Sequence, residues 1–347
     1  MMLQGHFISL TLNDYNVLAS GNHVAENEMV FSIWLILRGF TAPLFFTVSG
    51  LVFAFTLMKM HKSPFYKNVR VVKGLKRAIA LILIGYLLQL NIANIDYYLA
   101  GKLNERFFAF HVLNSIGLGL IILIFIYVVC IKILRLNPVV SYLFFAFLFL
   151  LIGVYLKSID GYFPSESPVI IQNVFKGPNS IFPITPWVSY ILVGAAFGSL
   201  LYQKRIAIQG KWFPIILATS SLITLQLMKW LMKFIAYATN SHLSFSNSQY
   251  VLTQLMYITL LVSLFIYLEK ILKPNALILK MGQNTLTIYV LHVIMLYGAI
   301  IGIGIRTWLE NELNFSESIL GALLFILFFA ILTYFQKKLN LNWLKLR

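Results

Sequence analysis

Long apolar runs separated by short polar breaks recur from one end of the 347-residue chain to the other. A bilayer-spanning helix takes about 20 mostly apolar residues. By that measure the pattern predicts nine complete spans, near 29–58, 77–93, 111–131, 139–157, 184–203, 212–235, 249–268, 281–305 and 317–336. Residues 1–12 (MMLQGHFISLTL) are apolar as well, but as a helix they would rise only about 18 Å against a hydrocarbon core of roughly 30 Å. They read as the outer half of a tenth helix, so either the true start lies upstream or the helix is buried among its neighbours. No basic segment precedes this run and no small-residue cleavage site follows it, which argues against a signal peptide. The longest polar connections, 13–28, 94–110, 158–183 and 236–248, carry Gly, Pro, Asn and Ser, as in GYFPSESP and KGPNSIFP, where prolines can open helices. With no internal repeat and no low-complexity tract, residues 1–347 read as a single membrane domain.

Composition narrows the class further. Hydrophobic residues make up 60% of the chain and charged residues 11%, whereas a soluble domain has roughly 45–50% and about 25%. A soluble monomer and a disordered chain are excluded, and so is a disulfide scaffold, because Cys130 is the one cysteine. The net charge of +16 would suggest nucleic acid in a soluble protein, but its distribution gives another answer. Lys and Arg collect in short cytoplasmic loops. One alternating set of loops and the C-terminus holds 19 of the 27 basic residues with a single acid, Glu269, and seven of those basic residues lie between Lys59 and Arg77. The opposite set holds seven basic residues with ten acids, and Arg38 alone is left inside a span. The expectation is an all-α polytopic membrane protein of about ten transmembrane helices, the first partial, with both termini cytoplasmic. It would sit in the cytoplasmic (inner) membrane, in contact with lipid and without a nucleic-acid partner. The elaborated outer loops mark the side on which an extracytoplasmic substrate would be met.

A charged group inside a span is costly and usually faces protein or water. Arg38, in ILRGFTAPLFFTVSG, therefore stands out. Its guanidinium suits phosphate or carboxylate recognition, the alternative being snorkelling or pairing with a helix carbonyl. Gly39 and Pro43 beside it allow close approach and a kink. Histidine is the usual general base near neutral pH, and four of the six are candidates: His6 near the outer surface, His111 opening a span, His292 near mid-membrane and His23 in the first outer loop. Each is also a candidate for ordinary hydrogen-bonded packing. His6, Arg38, His111 and His292 together suggest convergence on one cavity in the outer half of the membrane. His61 and His242 read as solvated surface residues, and the many Phe and Tyr as lipid-facing and interfacial packing. Phosphate-binding glycine loops, HExxH, GxSxG and cysteine clusters are absent from the sequence, so no metal site is expected.

Several stretches, LQGHFISL, LRGFTAPLFFTVSGLVFAF, FHVLNSIGLGL, FPITPWVSYILVGAAFG and GQNTLTIYVLH, taken in order, resemble the bacterial membrane acyltransferases related to heparan-alpha-glucosaminide N-acetyltransferase. The last is also similar to a helix of the broader acyltransferase-3 proteins. That resemblance implies transfer of an acyl group, commonly acetyl, from cytoplasmic acyl-CoA to a sugar amine or hydroxyl across the membrane. It implies no permanently bound cofactor, acetyl-CoA or another acyl-CoA being the donor substrate. A catalytic histidine is expected, either as base or as a transiently acylated group. His6 matches a polar position at the end of the family's first helix, while His23 better matches a loop histidine of the animal enzyme. Arg38 would hold acceptor charge or part of the CoA arm, with His111 and His292 as further substrate contacts and Asn114 or Asn284 as oxyanion donors. The 59–77 loop is a candidate for the CoA phosphates, or simply for lipid contact. A secondary transporter or flippase using the same Arg and His, and a non-enzymatic membrane subunit, remain the other readings.

Overall fold

A computed structural model describes residues 1–13, 15, 28–101, 105–158, 167–175, 177, 180–204, 210–238, 246–269, 271–273 and 275–335. In chain order the helices are α1 (Met2–Thr11), α2 (Glu28–Gly39), α3 (Thr41–Met58), α4 (Val69–Leu87), α5 (Ile95–Leu99), α6 (Val112–Ile126), α7 (Pro138–Ser158) and α8 (Val169–Phe175). They continue as α9 (Ile184–Gln203), α10 (Phe213–Ala238), α11 (Ser246–Glu269), α12 (Ala276–Gln283), α13 (Thr285–Tyr297), α14 (Arg306–Leu309) and α15 (Phe315–Phe335). Among the described residues there are no strands, only two isolated bridges, Leu12 with Leu313 and Asn91 with Ile300. The chain divides into two compact units, one of residues 1–41, 87–103 and 272–347, the other of 42–86 and 104–271.

In the first unit α1 packs along α15. Leu3, Phe7, Ile8 and Leu10 are buried with Ala322, Phe325 and Phe329, and the Phe7 and Phe325 rings lie 5.5 Å apart. Gly321 leaves room for that contact, since a Cβ there would stand 2.6 Å from the Phe7 ring. The end of α1 is tied down by backbone, Leu313 N–H donating to the Thr11 carbonyl at 2.8 Å and Asn13 N–H to the Leu313 carbonyl at 2.8 Å. Six of the ten residues of this helix are buried. Asn275 caps α12, accepting from Leu277 N–H at 2.9 Å. The chain then bends by 72° between α12 and α13.

In the second unit α3 and α9 approach closely at three glycines. A Cβ on Gly194 would meet the Thr47 carbonyl oxygen at 1.9 Å, on Gly50 the Ile191 oxygen at 2.0 Å, and on Gly198 the Leu51 oxygen at 2.2 Å. Small residues allow such backbone contact between apolar helices. α9 also packs on α7, where the Ser189 hydroxyl donates to the Ala146 carbonyl at 2.9 Å. α10 and α11 pair along their length, with Ser263 donating to the Pro214 carbonyl. α6 ends in a π-helical turn over Tyr127–Ile133.

Among the described residues seven stretches are long and apolar enough to cross a membrane, α2 and α3 together forming one of them (Met29–Met58), or eight if the bent pair α12–α13 counts as one span, so the protein is a multi-pass membrane protein. Two predicted segments differ from the pattern. The span expected at 77–93 is α4, which starts eight residues earlier and stops at Leu87. Val71, Gly74, Ala78, Leu81 and Gly85 are its buried stripe at helical spacing, while Arg70, Lys73, Lys76 and Arg77 break the apolar window that would count as a span. The span expected at 281–305 ends at Tyr297, because Gly298 takes the left-handed conformation (φ 68°) and closes the helix. The span expected at 29–58 is one candidate span, Met29–Met58, in which α2 and α3 meet at Phe40 beside Gly39. Prolines open helices as expected at Pro168, just before α8, and at Pro183, which caps α9. His61, expected to be solvated, has its Nδ1 buried without a hydrogen bond, its ring edge-on to Tyr127 at 6.0 Å, and its carbonyl accepting from Lys132. Burial, reinforced by the Lys132 charge, holds its imidazole below the ordinary value. His242 lies outside the described residues.

Candidate functional site

Three of the predicted residues come together in the first unit. His6 sits on α1, Arg38 in the last turn of α2, and His292 on α13. His292 is fully buried because it continues the stripe of Ile288 and Leu296, the inward face of α13. Its Nδ1 lies 3.1 Å from the Ile288 carbonyl oxygen. A carbonyl only accepts, so Nδ1 carries the hydrogen and Nε2 is left as a lone pair. That Nε2 is buried with no hydrogen-bond partner among the described residues. A buried acceptor left in this way costs about 1–3 kcal/mol unless something donates to it.

The His6 ring faces this group, with centroids 5.1 Å apart, and its Nδ1 lies 2.9 Å from the Tyr297 hydroxyl. Gly5, one residue before, has Arg38 against it: a Cβ there would touch the Arg38 Cγ and Nε at 3.4 Å. The Arg38 side chain therefore lies beside α1 next to His6. Its NH1 donates to the Tyr15 hydroxyl, and its guanidinium carbon stands 5.4 Å from the Tyr15 ring and 5.5 Å from the Trp34 ring. Two aromatic rings flank the cation, and among the described residues its guanidinium makes no hydrogen bond other than the one to Tyr15. The combination of an oriented cation, a buried lone pair and a second imidazole can bind a polar acceptor and take a proton from it.

The other candidates lie elsewhere. Asn284 is in the same unit but at the bend between α12 and α13, where its Nδ2 donates to the Lys280 carbonyl at 2.8 Å. Asn114 and His111 belong to the second unit. Asn114 is fully buried, donates from Nδ2 to the Ile82 carbonyl at 3.2 Å, and leaves Oδ1 without a partner. Gly85 stands opposite, where a Cβ would lie 2.4 Å from that oxygen and would oblige the Asn114 side chain to shift. His111 is the half-buried N-cap of α6 and makes no side-chain cap. His23 lies outside the described residues.

Residues not anticipated from the sequence complete the first-unit cluster: Tyr297, Tyr15, Trp34 and Tyr289, whose ring is 5.2 Å from His292. Trp34 was accessible in principle, because it stands four residues before Arg38 and that spacing stacks side chains on a helix. The aromatic residues here line a cation and a base rather than lipid. For Tyr297 and Tyr15 nothing local gives the contact away.

Compared with known proteins, the chain matches the family model described as heparan-alpha-glucosaminide N-acetyltransferase, catalytic, over residues 1–226. Neither a curated protein nor a solved structure matches it. The matched range carries His6, Arg38, His111 and Asn114, and ends before Asn284, His292 and Tyr297.

Proposed function

We infer that this chain, which belongs to the heparan-alpha-glucosaminide N-acetyltransferase catalytic family through residues 1–226, is a membrane acetyltransferase that uses cytoplasmic acyl-CoA to modify an amine or hydroxyl of a saccharide on the outer side. The observation that carries this reading is the meeting of His6, His292 and Arg38 in one unit, with the lone pair of His292 buried and unanswered. In this reading Arg38 holds an anionic part of the substrate, and His292 Nε2 accepts a hydrogen bond from a neighbouring, non-reacting hydroxyl or N–H of the saccharide. His6 Nε2 takes the proton as the acceptor nitrogen or oxygen attacks the thioester carbonyl. The new C–N or C–O bond forms, the C–S bond breaks, and the electron pair leaves on the CoA sulfur. Asn114 and Asn284 each keep a second amide hydrogen, which an oxyanion-donor role would use. His111 is kept as a substrate contact and His23 as the competing base.

Residues 1–347 act as one transmembrane domain in this reading, with α1 and α4 completing about ten helices and both termini in the cytoplasm. The membrane is the cytoplasmic (inner) membrane, and the basic 59–77 segment meets CoA phosphates or lipid on that side. Membership of a catalytic family does not favour the transporter or flippase reading. Purified protein given acetyl-CoA and an amino-sugar oligosaccharide should release CoA in step with acetylation of the sugar. Absence of acceptor-dependent CoA release, in protein shown to be folded, would overturn the enzyme reading.

A further inference from the structure

A neutral imidazole has one N–H and one lone pair, and the nitrogen that can act as base is decided by the hydrogen bond the other one makes. For His6 that bond is to Tyr297, at 2.9 Å from Nδ1. Tyr297 is not on a loose loop. It is the last residue of α13, and the chain after it is locked. Gly298 and Gly304 approach so closely that a Cβ on Gly304 would stand 2.4 Å from the Gly298 nitrogen. Ile305 N–H donates to the Met295 carbonyl at 2.8 Å, and Gly302 N–H to the Gly298 carbonyl at 2.7 Å. Ile300 is paired on both sides, its carbonyl accepting from Ile92 and its N–H donating to Leu90. The hydroxyl of Tyr297 is therefore presented from a fixed backbone to the end of α1, with the two rings edge-on at 5.9 Å. The other charged, titratable or hydroxyl groups around this pair are Arg38, Tyr15, Arg306, His292, Tyr289 and Ser9.

We propose that Tyr297 is a positioning residue for the transfer reaction, its hydroxyl oxygen accepting the His6 Nδ1 hydrogen so that Nε2 is held as the free base. The proposal rests on the reading of His6 as that base. One proton moves, from the acceptor nitrogen or oxygen to Nε2, and the resulting imidazolium keeps its Nδ1–H bond to Tyr297. The tyrosine neither gains nor loses a proton. Tyr297 lies beyond the residues matched by the family, so it is the fold of the C-terminal third that sets the state of a residue on the first helix.

Tyr297→Phe keeps the ring and deletes only the hydroxyl. In purified full-length protein it should lower kcat by about 10- to 100-fold while KM for acetyl-CoA and for the saccharide stays within about twofold. Nitrogen-15 NMR of labelled histidine should show His6 with hydrogen on Nδ1 in the wild type and a mixture of tautomers in Tyr297→Phe, a readout that needs no turnover. Normal kcat in Tyr297→Phe alongside a dead His6→Ala would overturn the proposal and leave the base reading standing. Normal rates in both variants would overturn both. Hydrogen on Nε2 rather than Nδ1 in the wild-type spectrum would overturn the proposal whatever the kinetics.

Discussion

His6 and Arg38 occupy adjacent ground, one on α1 and the other lying against Gly5, yet they serve different ends in the proposed reaction. A catalytic base contributes about 10²–10⁴-fold, so His6→Ala should lose at least that much acetyl transfer at unchanged expression, with His23→Ala far milder. The choice rests on the placement of the His6 ring 5.1 Å from that of buried His292 and on its contact with Tyr297. The reverse ranking in a rate assay would move the base to His23. Arg38→Lys removes the planar fork and its stacking on Tyr15 and Trp34. Hydrogen bonds to charged groups are worth about 1.5–3 kcal/mol, which corresponds to a loss of roughly 10- to 100-fold. A Lys variant of normal activity would reduce Arg38 to a supplier of charge. The candidates Arg38 and His292 were legible in the sequence because charged and polar groups inside apolar runs announce themselves. Tyr297 was not, because it is an ordinary aromatic among many until a neighbour 291 residues away is placed beside it.

Among the helices, glycine does opposite things in α9 and α12. Gly194 faces the Thr47 carbonyl at a distance no Cβ can share, and the obstacle is backbone that cannot swing aside. Overpacking of this kind costs about 1–3 kcal/mol, so Gly194→Ala should lower the thermal unfolding midpoint in detergent by several degrees. Gly282, on α12, would place its Cβ in open space. A helical glycine costs about 1 kcal/mol relative to alanine, so Gly282→Ala should hold or raise the midpoint. Equal midpoints in the two variants would show that α3 and α9 can separate without cost. The hydropathy pattern located α6, α7, α9, α10, α11 and α15 closely, since each is one continuous apolar run. It misplaced α4 because the stripe Val71 to Gly85 is amphipathic, a matter of which face is covered rather than of summed hydropathy.

At the scale of the whole molecule, the one-sided distribution of Lys and Arg gives an orientation that labelling can check. In a Cys130→Ser background, Ser63→Cys should react with a membrane-permeant thiol reagent and resist an impermeant one added to intact cells. Labelling from outside would invert the topology, and with it the expectation that acyl-CoA meets the basic 59–77 segment.

What the sequence by itself determined was a polytopic helical membrane chain, the approximate position of most spans, the side on which its basic loops should lie, and a short set of polar residues that membrane burial makes expensive. These are sums over neighbours in the chain, and the bilayer reads them one segment at a time. The tertiary structure alone decided that His6 meets Tyr297 and His292, that Asn284 serves a 72° bend, and that the amide hydrogen bonds of Asn114 and Asn284 run to backbone carbonyls. Such contacts depend on which helix faces pack and on where Gly298 stops α13. The contact of His6 with Tyr297 has no signature in the periodicity of one helix, because its two halves stand 291 residues apart in the chain.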